Sequence, residues 1–567
     1  MEQSSFTYRQ WVGGNTLMVI VPHEDDEMNM AGATIYGAKQ EGLRVIIVFI
    51  TNGDYEYRSS IRFNDTYRMA REMGIPQEDI IFLGFPDHVM NDISNPSHLY
   101  ADGFGITYTH GDGIVQDFST QYEGEPKSYT YESLIQVIYD VIVANTPHMI
   151  IATDYDTHRD HRLCSLAVDK AVSLLVTEQS EYKPKLLKAF AYATGYETID
   201  DYYNNHLIST VVNKKAINSV GNSTGNPTLV WNHRLRIPVP YDCRDMNLVD
   251  NPIFKGMAAH ASQEGYKRGS RLINGDQVFW ERFVYNLARE AVVTVSSGDG
   301  TYINDGIWFY QEHLNNEIVD TSKFMWMPSD SQPTVRFTFS TSKTIVYIVL
   351  YTSDVLRNYE SESDFNTRSI QEVLIRTEDR SDSFCSDDVE YCDGIIRIIF
   401  NQPVHTTWLE LKITKYVDTF SGLSEIELHE SVPIDTYCHI LGNNQFMYDW
   451  VIFPGESIPH IDLYTDGFTS RNRIQKDYTW FINGQLTSQM DMQHVLRNVL
   501  RQGPVLLRVE HNRQPIWCEI TMRKGTCIEL MRKKWSNLVN RYRYLRVKRY
   551  YKSLYRDAQS YKYKEGM

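Results

Sequence analysis

The chain has 567 residues and a mass of 66.0 kDa, with 42% hydrophobic and 23% charged residues. At roughly 150 residues per domain that length divides into three or four domains, and the composition excludes collagen-like, coiled-coil and wholly disordered classes. A formal charge of −16 makes the surface as a whole a poor partner for nucleic acid.

Thr16–Val21 (TLMVIV) is a short apolar run, the mark of a buried strand, and the helical stretch after it stops at Glu41-Gly42. Arg44–Thr51 (RVIIVFIT) reads as a second strand, Asn64–Met73 as a helix ended by Gly74, and Ile80–Leu83 as a third strand. Tyr131–Ala144 has apolar residues at helical spacing, His148–Thr153 is another strand, and His161–Leu175 another helix. Alternation of this kind with continuously apolar strands predicts an α/β fold: a Rossmann-like, mostly parallel sheet covered on both faces. A long segment rich in Gly, Asp, Ser and Tyr separates Asp87 from Ser128, and a loop of that length usually shapes a site.

Near residue 290 the texture changes. Short alternating strands dominate to about Leu428: TVRFTFS (334–340), TIVYIVLYT (344–352), GIIRIIF (394–400) and WLELKIT (408–414). These predict an antiparallel all-β sandwich. From about 433 to 525 the chain is again β-rich, with a hairpin signal at Asn483-Gly484, and it looks vaguely immunoglobulin-like. The tail is helical in pattern, with Trp535, Leu538, Val539, Tyr542 and Leu545 on one stripe. Met531–Met567 holds 12 Lys/Arg against 2 Asp/Glu, a net +10, which leaves −26 on the first 530 residues. The domains are therefore placed at 1–289, 290–431, 432–530 and 531–567.

Seven Cys are scattered with no CxxC pair, which suits reduced thiols in the cytoplasm. The first residues show no basic stretch followed by an apolar run, so no signal peptide is expected. The longest apolar run, Ile345–Tyr351, is far short of the ~20 residues that span a bilayer.

Two clusters carry chemistry. Pro22-His23-Glu24-Asp25-Asp26-Glu27 directly follows the first strand, and Thr157-His158-Arg159-Asp160-His161 follows the strand ending at Thr153. In open α/β sheets the ligand crevice lies beyond the carboxyl ends of the strands, so the two clusters can meet. His, Asp and Glu are the ligands of a hydrolytic zinc site, and a nearby carboxylate can take a proton from water. Adjacent Asp25 and Asp26 point different ways, so one can ligate while the other faces the water. Alternatively these polar residues cap helices and bind one another, with Asp25 or Asp26 as an N-cap.

PHEDDE followed by HRDH resembles the PIG-L/LmbE-like deacetylases, zinc-dependent enzymes that remove N-acetyl groups from glucosamine-containing substrates. The resemblance covers about residues 15 to 200. It implies His23, Asp26 and His161 as metal ligands and Asp25 as the general base. It implies His158 as the residue that stabilises the oxyanion or protonates the leaving amine. Thr51-Asn52-Gly53-Asp54, Arg62-Phe63-Asn64-Asp65 and Leu83-Gly84-Phe85-Pro86-Asp87 look like softer family segments. They make Arg62 and Asp87 candidate substrate contacts, with a structural salt bridge or cap as the alternative. Glu24 stands where the family commonly has Pro, and Asp65 where it has Glu; neither is a matched ligand. Zn2+ is the expected cofactor, and iron(II) also fits such ligands.

The middle domain resembles discoidin or coagulation-factor type C-like, galactose-binding-like sandwiches. The residues are Ser296-Ser297, Asn304 to Trp308, Pro333 to Phe337 and Gly422 to Leu428. Trp308, Phe309 and Tyr310 could stack on a sugar, with Trp308 as a core residue the alternative. The basic, aromatic tail suits either an anionic membrane surface or the protein's own acidic body. The expected function is removal of an N-acetyl group from a GlcNAc-containing glycan, glycolipid or lipid-linked sugar in surface polysaccharide biosynthesis, by a cytoplasmic protein with peripheral membrane contact. No nucleic-acid partner is expected. Two rivals are a non-catalytic glycan-binding scaffold and a glycosyltransferase using Asp154-Tyr155-Asp156 as a DxD motif.

Overall fold

A computed structural model describes residues 4–87, 106–113, 115–154, 158–179, 181–191, 205–210, 234–307, 325–352, 370–385, 390–392, 395–416, 422–467 and 476–562. The first unit runs α1 (Tyr8–Val12), β1 (Thr16–Val21), α2 (Asp26–Gln40), β2 (Arg44–Thr51), α3 (Ser59–Met73), β3 (Ile80–Phe85), α4 (Phe118–Glu123), α5 (Tyr131–Asn145), β4 (Met149–Thr153), α6 (Arg159–Glu178), β5 (Lys185–Ala189), β6 (Leu235–Pro238) and β7 (Asp276–Arg282). Its seven-stranded sheet has the order β3-β2-β1-β4-β5-β7-β6. The first five strands are parallel; β7 pairs antiparallel to both β5 and β6.

The continuously apolar strands are explained by two buried faces. Leu17, Val19 and Val21 of β1 enter one core with Met28 and Ala31 of α2 and Phe63 and Met69 of α3. Met18 and Ile20, pointing the other way, enter a second core with α5 and α6. Each fully buried Val, Leu, Ile, Phe or Met side chain among them contributes about 1.5–3 kcal/mol. The chain first builds outward from β1 through β2 to β3, then returns to place β4 on the free side of β1, with Ile20 opposite Ala152. That reversal is a topological switch point, and it sets the ends of β1 and β4 side by side.

The second unit holds β8 (Val292–Val295), β9 (Thr334–Thr352), β10 (Ile370–Arg376), β11 (Ser381–Cys385), β12 (Glu390–Cys392), β13 (Ile395–Tyr416) and β14 (Leu423–His429), all paired antiparallel. The sequence suggests four separate strands where the structure has two long ones. The ladder between β9 and β13 stays in step past the polar Ser340–Lys343, absorbing the bend in irregularities between Ile399 and Val404 and between Thr406 and Trp408. One end of β9 therefore pairs with β8, the other with β14, and both halves feed a single core with Val335, Phe337, Ile348 and Leu350. Trp308, Phe309 and Tyr310 lie outside the described residues.

The third unit has β15 (Cys438–Gly442), β16 (Gln445–Phe446), β17 (Trp450–Ile452), β18 (Ile461–Thr465), β19 (Tyr478–Ile482), β20 (Gln485–Thr487), β21 (Val505–His511) and β22 (Trp517–Lys524). Asn483 and Gly484 make the β19–β20 turn with φ of 49° and 79°, the left-handed pair that a two-residue hairpin needs. A parallel pairing of β17 with β22 and a helix at Met492–Val499 depart from the immunoglobulin-like pattern. Short hydrophobic runs show strands, but they do not show which neighbour each strand takes.

A 33-residue helix, Cys527–Gln559, ends the described chain. Thr526 and Glu529 form a capping box at its start, satisfying backbone donors that would otherwise be orphaned.

Candidate active site

The loop after β1 and the first turn of α6 converge. His23, Asp26 and His161 are all buried, and Asp26 Oδ2 lies 3.1 Å from His23 Nδ1 and 3.3 Å from His161 Nε2. Helix α6 starts at Arg159, earlier than the periodicity suggests, so His158 is its N-cap and His161 sits in its first turn. The His158 ring stands 4.9 Å from that of His23 and 4.7 Å from that of His161. The structure thus brings four of the sequence-derived residues into one cluster, from segments that the β1–β4 pairing sets side by side.

Two imidazoles and a carboxylate are the donor set of a catalytic zinc or iron(II). The ligand atoms that lie close enough together to share one ion form two sets among the described residues, His23 with His158 and His161, and His23 with Asp87 and Asp160, while Asp26 Oδ2 stands between His23 and His161. Asp26 Oδ1 is buried without a hydrogen-bond partner, a polar atom that an ion would satisfy. The residues fit a divalent metal.

Charge inside the cluster is finely opposed. Burial favours neutral Asp26, but the two imidazoles override it and hold its carboxyl well below the usual range. Burial likewise disfavours charge on His23, yet Asp87, Asp160 and Asp26 together raise its pKa well above the ordinary value. His23 Nε2 contacts Asp160 Oδ2 at 2.9 Å and Asp87 Oδ1 at 3.2 Å. Carboxylates on the nitrogen away from Asp26 orient the ring. Asp87 therefore stands against the His23 ring.

Asp25 turns away from Asp26. Its backbone has φ 132°, a conformation that costs of order 1–3 kcal/mol in a non-glycine residue. It is the N-cap of α2, but its side chain makes no capping hydrogen bond. Instead its carboxylate pairs with Arg268, and its N–H donates to Glu27 Oε2 at 2.9 Å. Glu27 Oε1 in turn meets His260 Nε2 at 2.6 Å, both fully buried. Burial opposes charge on His260, but Glu27 outweighs it and raises the pKa. This chain of contacts fixes the strained turn that aims Asp25.

Arg268, His260 and Asp160 were not singled out from the sequence. Asp160 carried a signal, an acid inside the His-x-x-His turn. A lone Arg and a lone His some 240 residues downstream of the first motif carried none.

Arg62 lies on α3, which begins five residues before the expected start. Its guanidinium is buried, 3.3 Å from Glu24 Oε2, and donates to the Glu24 carbonyl oxygen. The Glu24 substitution therefore has a partner. Burial, eased by Arg62, pushes its carboxyl up to about 8. Removing one member of such a buried pair leaves a stranded polar group. Arg62→Met is expected to lower stability by about 3 kcal/mol, read as a fall in the urea midpoint. An unchanged midpoint with a raised KM would make Arg62 a substrate contact instead.

The rim is completed by Asp54 and His110. Asp54 Oδ1 accepts from the Asp87 N–H at 3.1 Å, and His110 Nε2 lies 3.7 Å from Asp54 Oδ2. Asp154, the first residue of the DxD triplet, is buried and accepts from Arg282 Nη2 with both oxygens at 2.8 Å. One guanidinium nitrogen thus engages both Asp154 oxygens, a structural role for the first residue of the triplet. Tyr155 and Asp156 lie outside the described residues.

Residues 18–172 match the family model described as PIG-L: GlcNAc-PI de-N-acetylase. No curated protein matches the chain. Among solved structures, the conserved protein TT1542 from Thermus thermophilus is 16% identical over 47% of this chain and 93% of its own, with a TM-score of 0.27. N,N'-diacetylchitobiose deacetylase from Pyrococcus horikoshii is 16% identical over 32% of this chain and 66% of its own, with a TM-score of 0.20. The family 32 CBM from C. perfringens NanJ is 12% identical over 25% of this chain and 94% of its own, with a TM-score of 0.16. The switch-point cluster thus lies within residues 18–172, the segment that matches the PIG-L family model.

Proposed function

We propose that residues 1–289 form a metal-dependent amide hydrolase that removes the N-acetyl group from a GlcNAc-containing glycan, glycolipid or lipid-linked sugar. The observation that carries this reading is the position of Asp26 between His23 and His161, with Asp25 and His158 beside them. His23, Asp26 and His161 would hold zinc, or iron(II). Lewis-acid polarisation of the amide carbonyl and of water is the chemistry such an ion supplies.

The chain's own residues do the rest. Asp25 accepts the proton of the attacking water, in an orientation set by Arg268 and by Glu27 on its backbone. His158, at the N-terminus of α6, donates to the nitrogen as the C–N bond breaks, so acetate and a free amine leave. Asp87 and Asp54 offer carboxylates to sugar hydroxyls at the rim. The sandwich at 290–431 would serve as a glycan-binding module that holds a longer acceptor. We place the reaction in surface-glycan synthesis in the cytoplasm, a setting that suits the free Cys164, Cys243, Cys438 and Cys518.

The test is acetate and free-amine release from a panel of N-acetylglucosaminyl compounds, free, lipid-linked and polymeric, with zinc or iron(II) supplied. Equal acetate and amine from at least one of them is expected. Glycan binding with no acetate from any of them would favour the scaffold reading.

A further inference from the structure

The terminal helix Cys527–Gln559 is apolar on two opposite faces, and the body uses only one. Tyr544 and Tyr551 set their rings edge-on to Phe254 at 5.8 and 6.0 Å, and the Tyr544 hydroxyl donates to the Tyr266 carbonyl at 3.4 Å. Arg543 pairs with Asp250, and Gln559 bonds to the Tyr57 hydroxyl. At 3.6 residues per turn the opposite face carries Ile528, Met531, Trp535, Leu538, Tyr542 and Leu545 in a strict three-four spacing. All six are exposed, Trp535 by 68% and Tyr542 by 65%. No residue of the helix is fully buried. The tail's apolar stripe therefore points away from the acidic body, which is held by the other side.

The edges of the outward stripe identify what covers it. Exposed Arg532 and Arg546 border one side, Lys534 and Arg541 the other, and Arg549 continues its line. No Asp or Glu occurs between Glu529 and Asp557. A second copy of the helix laid on this stripe would bring Arg and Lys against Arg and Lys. Nucleic acid would neutralise the edges but leave Ile528, Leu538 and Leu545 in water. An anionic bilayer satisfies both at once: headgroup phosphates take the basic edges and the acyl boundary takes the stripe. Trp and Tyr favour that depth. Among the described residues no helix is long and apolar enough to cross a membrane, so this one would lie in the interface.

We propose that the outward face of this helix docks the protein on an anionic lipid surface. The proposal goes beyond the deacetylase reading and does not depend on it. The helix end also comes near the rim of the site: Gln559 meets Tyr57, and Lys562, just beyond the helix, meets Glu56, two residues from Asp54. A docked protein would hold its site beside the membrane surface.

Flotation of the full chain with phosphatidylcholine vesicles, with and without about one third phosphatidylglycerol, tests it. Two triple variants accompany the wild type: Trp535→Ser with Leu538→Ser and Leu545→Ser, and Arg532→Ser with Arg546→Ser and Arg549→Ser. All six positions are exposed, so both variants should melt like the wild type. The wild type is expected to float with the anionic vesicles and not with the neutral ones. Each triple variant should partition roughly a hundredfold more weakly. No flotation of the wild type, or flotation of either variant equal to that of the wild type, would overturn the proposal. So would a wild-type dimer in light scattering that the apolar triple variant dissolves, which would make a second copy the cover.

Discussion

Asp25→Asn is expected to lower the turnover of acetate release by roughly 10²–10⁴ while leaving bound metal and melting temperature close to wild type. Asn keeps the size of Asp and, like Asp, accepts unusual backbone angles better than other residues, so the turn at φ 132° survives. The Asp25 side chain makes no capping hydrogen bond to α2, so the helix start does not depend on its charge. What Asn loses is the ability to take a proton. The variant would still bind substrate, and KM should change far less than kcat. Steady-state kinetics beside metal analysis of the same samples checks this. Turnover within a few fold of wild type would remove Asp25 as the base and turn attention to Asp160, which touches His23 from the other side.

His161→Ala should have an effect at least as large, by a different route. It removes one of the two imidazoles around Asp26 Oδ2. Asp26 then remains buried with less positive charge near it, and its proton affinity should rise, because the imidazole it loses is the strongest influence opposing burial. A site with one His and a reluctant carboxylate holds a divalent ion poorly. Acetate release should fall to background and stay there at zinc concentrations that saturate the wild type. His23→Ala should behave alike and should also strand Asp160 and Asp87 facing each other without the imidazole between them.

Much of the first unit was legible because its information is local. A parallel sheet buried on both faces needs continuously apolar strands, and TLMVIV and RVIIVFIT supply them. The two polar clusters were legible because each sits directly after such a strand. Their meeting depends on β1 lying between β2 and β4, which the strand-end rule for α/β sheets anticipates. The support for Asp25 was not legible. Arg268 and His260 come from the region after β6, where no repeat or motif marks them, and their roles exist only through contact. Glu24 departs from the family pattern in sequence and is no matched ligand, but it is buried on Arg62, a pairing that spacing alone could not show. In the sandwich, composition located the strands but divided β9 and β13 into halves, because a polar stretch at a bend looks like a turn. The terminal helix gave its stripe at once. Which way the stripe faces was decided by Tyr544 and Tyr551 on the opposite side, which pack on Phe254.

The central claim is that two motifs, 138 positions apart from His23 to His161, build one metal site. Its most direct test needs no substrate: elemental mass spectrometry of the purified wild type, His23→Ala and His161→Ala. The account predicts about one zinc or iron per wild-type chain and loss of that metal in both variants. A wild type that binds no metal even after zinc is offered, or either variant that keeps a full complement, would contradict it.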